Sequence, residues 1–242
     1  MKAVLVNEDL SLRWDTVPDP TVGAEDCLVK IEAAALNRAD LMQREGDYPP
    51  PPGCPDWMGL EIAGTIVQVG AAAAEKAHRR VGDRVCALLG GGGYAEYANV
   101  KYDMLVPVPA GCSMVEAAAM PEAFAAAYLN LFREGGLQPG NTLLMQAGAS
   151  GLASVVIPMA KVFGARVITT IIDEQKRTAV AATGADIIVN TAEESLEAVL
   201  QQLAEGHPVD MAIDCLGGAG MGGCLPYLAH GALDHDCCSG RP

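Results

Sequence analysis

Residues 141–163 read NTLLMQAGASGLASVVIPMAKVF, and this stretch decides the fold of the second half of the chain. An apolar run over 141–147 leads into a turn of small residues and then into a second apolar stretch over 151–163. This order predicts a buried strand that passes directly into a helix, which Pro158 should kink. In such a unit several backbone N–H groups lie at the helix N-terminus, where a pyrophosphate can bind.

The turn matches the G-x-G-x-x-G/A template of dinucleotide-binding sites in part. Gly148 takes the place of the first glycine, Ser150 stands at the second, and Ala153 at the third is permitted. The position between a buried strand and a helix favours a nucleotide site, and a glycine-rich turn without a ligand is the alternative. The predicted cofactor-binding residues of this turn are Gly148, Ala149, Ser150, Gly151 and Leu152.

Strand and helix patterns alternate along the rest of the second half. A capping-box pair, Thr191 and Glu194, should start the last helix. Alternation of this kind predicts an α/β domain with a parallel, doubly wound sheet over residues 113–231. The predicted elements are strands over 165–171, 186–190 and 209–215, and helices over 174–183 and from the capping box to about 204.

The domain should begin with a helix. Ser113 and Glu116 have capping-box spacing ahead of an alanine-rich run. The run predicts a helix to about Glu134, which Pro121 should bend or break.

The first half, residues 1–112, has a β-rich texture. Short runs of Val, Ile, Leu or Tyr are separated by Gly, Pro and Asp, which is typical of strands joined by turns. Residues 90–93 are four glycines and predict a loop, and the alanines at 71–74 also favour a loop. The predicted strands cover 2–6, 27–35, 61–69, 84–89 and 94–100.

Composition excludes several classes of partner. The net charge of −14 argues against a nucleic-acid surface, because phosphate binding needs clustered Lys and Arg. No apolar run approaches the roughly 18 residues that a membrane-spanning helix needs, and the first residues carry too short an apolar stretch for a signal peptide. We therefore expect a cytoplasmic protein. The eight cysteines lack paired metal-ligand spacing, and we predict no metal.

Residues 37–53, NRADLMQREGDYPPPPG, resemble the loop that carries the first catalytic zinc ligand in medium-chain dehydrogenases/reductases. Zinc-dependent members have a Cys where Asn37 stands here, and a His where this chain has Leu60. Neither residue can hold zinc, which prefers thiolate, imidazole or carboxylate ligands. The third ligand region, Pro121–Tyr128, has no Cys or His. The chain therefore resembles the zinc-independent quinone oxidoreductase (zeta-crystallin-like) branch.

The resemblance implies a GroES-like catalytic domain over 1–112 and an incomplete Rossmann nucleotide-binding domain over 113–231. It also implies hydride transfer from NADPH to a quinone and a full-length form that is a homodimer. Asn37 and Tyr48 would line the cleft beside the nicotinamide. The Asn amide would donate a hydrogen bond, and the Tyr would offer a hydroxyl and an aromatic face.

The choice between NADPH and NADH can be predicted from charge. NAD-specific sites place Asp or Glu at the end of the second strand, and the resemblance puts Ile171 at that position. Lys176 stands where NADPH-using relatives carry a phosphate-binding Lys, and Thr170 could add a hydroxyl donor. Asp173 opposes this interpretation, because its charge would repel a phosphate. We predict NADPH, with a solvated Lys176 as the alternative.

The resemblance stops near Gly231, where the fold should continue into another buried parallel strand. Asp234 and Asp236 are unsuited to such a strand, because unpaired buried charges are costly. Read one nucleotide downstream, the codons of residues 233–236 permit Trp-Ile-Met-Ile. We interpret residues 232–242 as a frameshifted tail of a truncated chain; a genuine variable terminus is the alternative.

Two other functions fit the same residues. One is an enone or enoyl-thioester reductase of the same family. The other is a truncated, non-catalytic chain that binds nucleotide weakly or not at all.

Overall fold

A computed structural model of the chain describes residues 1–203, 209–217 and 224–228, apart from the side chain of Ala77, and the backbone of 234–236. The chain divides into two compact units, Met1–Glu122 and the residues from Ala123 onward. The boundary predicted from the sequence lies after residue 112. The segment between these two positions includes α3 (Met114–Ala118), whose Ala117 and Ala118 belong to a buried cluster with residues of the first unit.

Strands dominate the first unit. They are β1 Lys2–Val6, β2 Leu12–Thr16, β3 Asp26–Ala34, β4 Glu61–Val69, β5 Arg84–Leu88, β6 Tyr97–Lys101 and β7 Leu105–Pro107. β1 and β2 form an antiparallel hairpin, and the others form an antiparallel sheet in the order β6-β3-β4-β5-β7. The predicted strands are confirmed with small shifts of their ends. β2 and β7 were not predicted, because every residue of β2 is exposed and β7 is only three residues long.

The remaining helices of the first unit are α1 (Arg38–Glu45) and α2 (Ala71–Ala77). The prediction of a loop over 71–74 is wrong. Alanine has the highest helix propensity, and Ala73 is fully buried, with its N–H donating to the carbonyl of Ala24 at 3.0 Å. The alanine-rich segment thus forms a helix that buries Ala73.

The second unit alternates strands and helices as predicted. Its elements are α4 Pro121–Tyr128, which starts at the end of the first unit, β8 Thr142–Met145, α5 Ala153–Val162, β9 Arg166–Ile171, α6 Arg177–Ala181, β10 Ile187–Asn190, α7 Leu196–Leu203, β11 Met211–Asp214 and β12 Asp234–Asp236. The strands are parallel in the order β10-β9-β8-β11-β12. The break between α3 and α4 at Pro121 confirms the predicted interruption.

The start of α7 differs from its prediction. The N–H of Ala198 donates to Oγ of Ser195 at 3.2 Å, so Ser195 caps the helix. Glu194 instead accepts from the N–H of Asn190 at 3.4 Å. The capping box predicted at Thr191 and Glu194 is therefore wrong, because these residues belong to the turn that follows β10.

β8 carries the core of the second unit. Leu143 and Met145 pack with Val156 of α5, whereas Leu144 packs with Leu200 of α7. Successive residues of a strand point to opposite faces, so helices cover both sides of the sheet. This arrangement confirms the predicted doubly wound sheet. The strand order reverses between β8 and β11, and ligands of such folds bind at the carboxyl ends of the strands beside that reversal.

The predicted frameshifted tail, 232–242, lies outside the described residues except for the backbone of β12. That backbone pairs in parallel with β11, with Asp234 opposite Ala212. The strand position thus falls on residues that the sequence argument excluded from a buried strand. Within the described part of the chain, none of the helices is long and apolar enough to cross a membrane.

Candidate functional site

Asn37 lies between β3 and α1, at the position before the first helical residue. Its backbone is extended (φ −123°, ψ 154°), and its N–H donates to Oδ2 of Asp40 at 2.7 Å. A carboxylate three residues into a helix commonly satisfies the N–H of the capping residue in this way. Gly46 ends the helix with a left-handed backbone (φ 89°). The short helix therefore fixes the backbone of Asn37.

The side chain of Asn37 is held by a buried carboxylate. Its Nδ2 donates to Oε1 of Glu61 at 3.0 Å, and Glu61 is only 3% exposed at the start of β4. The other oxygen, Oε2, accepts from the backbone N–H of Glu122 at 2.8 Å. An ionised carboxylate only accepts hydrogen bonds, so the amide nitrogen of Asn37 faces Glu61.

A second buried carboxylate, Asp40, joins three segments of the first unit. Its Oδ1 accepts from the N–H of Gly59 at 3.2 Å, and its Oδ2 lies 2.6 Å from the hydroxyl of Tyr94. Burial and the hydrogen bond to Asp40 raise the pKa of Tyr94, so the hydroxyl stays protonated and donates. Arg38 and Asp40 form no ion pair among the described residues.

Three acidic residues, Asp40, Glu61 and Glu122, lie close to Asn37. Burial, followed by the negative charges of Glu61 and Asp40, raises the pKa of Glu122. The described residues contain no group of three or more His, Cys, Asp or Glu side chains that could hold a metal ion. Asp40 and Glu61 contact Asn37 through hydrogen bonds to its backbone and to its side chain respectively.

A cavity of about 320 Å³ opens beside Asn37 within the first unit. Its volume lies at the lower end of the range for small-molecule pockets, and most of its wall is apolar. The lining residues are Leu12, Leu36, Asn37, Arg38, Asp40, Leu41, Arg44, Met58 and Tyr94. Apolar walls with a few polar groups suit a small ligand with few polar groups.

Tyr48, the other residue predicted to lie beside the substrate, is separate from this network. It follows α1, is 42% exposed, and its hydroxyl has no hydrogen-bond partner among the described residues. It is not among the residues that line the cavity beside Asn37. The structure thus joins Asn37 to Asp40, Glu61 and Tyr94, which the sequence analysis did not assign to the site. A Glu at the head of the apolar strand EIAGTIVQV was the available signal for Glu61.

In the second unit, the predicted nucleotide turn lies between β8 and α5. Ala147 adopts a left-handed backbone (φ 54°), and the N–H of Gly148 donates to the carbonyl of Thr170 at 2.7 Å. The N–H of Ala147 donates to Oγ1 of the same threonine at 3.0 Å. A Cβ on Gly148 would lie 2.3 Å from Oγ1 of Thr169, so a side chain at this position would displace Thr169. These contacts hold the turn against β9.

The outer part of the turn presents backbone donors. The N–H of Ser150 donates to the carbonyl of Ala147 at 2.8 Å, and Oγ of Ser150 accepts from the N–H of Ala153 at 3.1 Å. The N–H groups of Ala149, Gly151 and Leu152 have no acceptor among the described residues. A Cβ on Gly151 would meet no atom within 4 Å, which leaves open space there. Free donors at the N-terminus of α5 fit an anionic pyrophosphate.

The residues predicted to select the cofactor lie at the end of β9 and just after it. Thr170 is only 3% exposed and uses its oxygens within the turn, so its role toward a cofactor stays a prediction. Ile171 is buried at the last position of β9. Lys176 is exposed, and it takes part in no ion pair among the described residues. Asp173 accepts from the N–H of Gln175 at 2.9 Å and so caps the following turn.

Two families of known proteins match this chain, one in each unit. Residues 23–110 match the alcohol dehydrogenase GroES-like domain, and residues 151–233 match the zinc-binding dehydrogenase family. The quinone oxidoreductase-like protein 2 homolog of Nematostella vectensis is 33% identical over 218 residues. A crystal structure of quinone oxidoreductase from Pseudomonas syringae pv. tomato DC3000 is 25% identical and superposes with a TM-score of 0.87.

The chain belongs to the zinc-independent quinone oxidoreductase branch of the medium-chain dehydrogenase/reductase superfamily. The resemblance and the two-part fold predicted from the sequence are thereby confirmed. The structure of a mycobacterial protein complexed with NADPH is 27% identical with a TM-score of 0.84, and the match covers 98% of this chain and 74% of that one.

The match to the Nematostella relative covers 89% of this chain and 58% of that protein. The match to the Pseudomonas structure covers 98% of this chain and 73% of that one. The chain thus spans little more than half the length of this curated quinone oxidoreductase-like relative.

Proposed function

We propose that the protein is an NADPH-dependent quinone oxidoreductase that works without zinc. The observation that supports this most directly is the environment of Asn37. An amide replaces the first zinc ligand of zinc-dependent relatives, a buried Glu61 orients it, and a largely apolar cavity opens beside it. A quinone suits such a site, because its carbonyls already activate the ring toward hydride and need no Lewis acid.

When bound, NADPH would supply the hydride. The N–H groups of Ala149, Gly151 and Leu152 would hold its pyrophosphate at the N-terminus of α5. Asn37 would donate its second amide hydrogen to a carbonyl oxygen of the quinone or to the carboxamide of the cofactor. Tyr48 would offer an aromatic face to a flat substrate. These residues contribute binding and orientation, which lower the barrier by reducing the entropy lost in the reaction.

The test of this proposal is NADPH oxidation by the purified chain in the presence of benzoquinone or of a crotonyl thioester. We expect faster oxidation with benzoquinone, because the apolar cavity and the Asn37 donor suit a small planar dicarbonyl. Preference for the thioester would favour the enoyl-thioester reductase alternative. A chain that oxidises no NADPH with either substrate would support the non-catalytic alternative.

Lys176→Ala is expected to weaken NADPH binding by about tenfold, the loss of one charge-assisted hydrogen bond, and to change NADH binding less than about twofold. Lys176 is exposed and unpaired among the described residues, so its charge is available to a 2′-phosphate. The measurement is a fluorescence titration of each cofactor. Asp173→Asn is the matched variant, and it should tighten NADPH binding because it removes a nearby negative charge. Tighter or equal binding of NADH by the unsubstituted protein would contradict the preference for NADPH.

The family resemblance also supports two proposals on context. We propose that the protein acts in the cytoplasm and that its full-length form is a homodimer.

A further inference from the structure

Glu61 is an unusual residue for a buried position in a β-sheet. It is 3% exposed, and it takes part in no ion pair among the described residues. Burial of a carboxylate without a cation is costly, so the hydrogen bonds that it accepts must offset much of that cost. Its two oxygens accept from Nδ2 of Asn37 and from the backbone N–H of Glu122.

We infer that Glu61 is a positioning residue that orients the amide of Asn37 toward the substrate. This inference rests on the proposed quinone reductase function. A carboxylate has no hydrogen to donate, so the oxygen of the Asn37 amide cannot take the place of its nitrogen beside Glu61. One amide hydrogen is therefore bound to Glu61, and the second is left for a carbonyl of the ligand.

The hydrogen bond from the backbone N–H of Glu122 fixes the carboxylate of Glu61. The N–H of Glu122 belongs to the first turn of α4, where unpaired backbone donors favour a negative charge. Burial and then the negative charge of Glu61 raise the pKa of Glu122. Glu61 is thus held at one oxygen by the main chain while it holds Asn37 with the other.

A glutamine at position 61 would remove this control. Asn37 and the N–H of Glu122 donate to different oxygens of Glu61, and Gln has an accepting oxygen at only one of these two positions, with a donating nitrogen at the other. If its oxygen kept the N–H of Glu122, its nitrogen would face Asn37 and would favour a reversed amide. The reversed amide would present its oxygen where a donor is needed.

The test is a double-mutant cycle with Asn37→Ala, Glu61→Gln and the double variant. We expect Glu61→Gln to lower kcat/KM for benzoquinone by about tenfold, equivalent to about 1.4 kcal/mol, while the Kd for NADPH changes less than about twofold. In the Asn37→Ala background the same change should lower kcat/KM less than about twofold, because the amide that it orients is already absent. Losses that multiply in the double variant would overturn the inference.

Asp40→Asn is the matched control, because the carboxylate of Asp40 is also buried and accepts from the backbone N–H of Asn37 but not from its side-chain amide. Any loss that it causes should be the same with Asn or Ala at position 37. Equal dependence of both carboxylate variants on Asn37 would contradict a specific role of Glu61.

A second measurement does not depend on activity. In a ¹⁵N–¹H spectrum of the unsubstituted protein, one side-chain amide hydrogen of Asn37 should exchange slowly with water, as expected for a hydrogen bond to a buried carboxylate. Asn37→Ala assigns the signal. Fast exchange of both hydrogens would reject the positioning contact even in an active enzyme. An intact signal in a protein that does not reduce quinones would reject the proposed function and leave the contact established.

Discussion

Gly59→Ala is expected to cost more than about 3 kcal/mol of the free energy of unfolding, whereas Gly53→Ala should cost about 1 kcal/mol. Both glycines have a left-handed backbone, with φ of 107° and 88° respectively, so both substitutions add backbone strain. A Cβ on Gly59 would also lie 2.5 Å from the backbone nitrogen of Tyr94 and 2.7 Å from Cα of Gly93. A Cβ on Gly53 would meet nothing within 4 Å.

The difference between the two variants isolates the close approach of two backbone segments. The N–H of Gly93 donates to the carbonyl of Gly59 at 2.9 Å, and the N–H of Tyr94 donates to that of Met58 at 3.0 Å. Main-chain atoms cannot rotate away as side chains can, so the segments must separate. Because Asp40 joins Gly59 to Tyr94, separation would also disturb the start of α1 and Asn37.

Urea-induced unfolding followed by circular dichroism measures both variants against the unsubstituted protein. Midpoints are comparable only if the slopes agree, since a changed slope signals a changed folded or unfolded state. An equal loss of stability in Gly59→Ala and Gly53→Ala would show that the segments are not in contact in solution.

Elements with a strong local pattern could be predicted from the sequence, and the hairpin partner β2 could not. β4 was predicted to the residue, because a short run rich in Ile and Val is followed by the turn signal Gly70. All residues of β2 are exposed, so its sequence LRWDT carries no burial pattern. The strand exists through its pairing with β1, which involves residues up to 14 positions apart in the sequence.

The same limit applies to the candidate site. The chain position of the nucleotide turn followed from a strand and a helix that are adjacent in sequence. The contacts that position Asn37 join distant residues instead: Glu61 is 24 positions away, and Asp40 is 54 positions from Tyr94. No spacing rule connects such pairs, because only the folded sheet brings them together. Thr170 illustrates the reverse case, since a polar residue that suggested a ligand donor is buried in the sheet.

Gly148→Ala and Gly151→Ala should separate the structural and the binding roles of the nucleotide turn. We expect Gly148→Ala to cost about 2–3 kcal/mol of the free energy of unfolding, because overpacking displaces a buried group and its hydrogen bond. The displaced group is Thr169, which is fully buried and donates from Oγ1 to the carbonyl of Met145 at 2.6 Å. NADPH binding should weaken by more than about tenfold, because the N–H groups of the turn lose their common orientation.

Gly151→Ala has the opposite signature, because its Cβ meets no protein atom within 4 Å and its φ is not left-handed. We expect unfolding to change by less than about 1 kcal/mol, and in the stabilising direction, since alanine restricts the unfolded chain more than glycine does. NADPH binding should still weaken by about tenfold or more, because the added methyl group fills space that a pyrophosphate needs beside the N–H of residue 151. Thermal unfolding and a fluorescence titration of NADPH measure the two effects in the same samples. If Gly151→Ala bound NADPH as well as the unsubstituted protein, the open space at this turn would not be the pyrophosphate site.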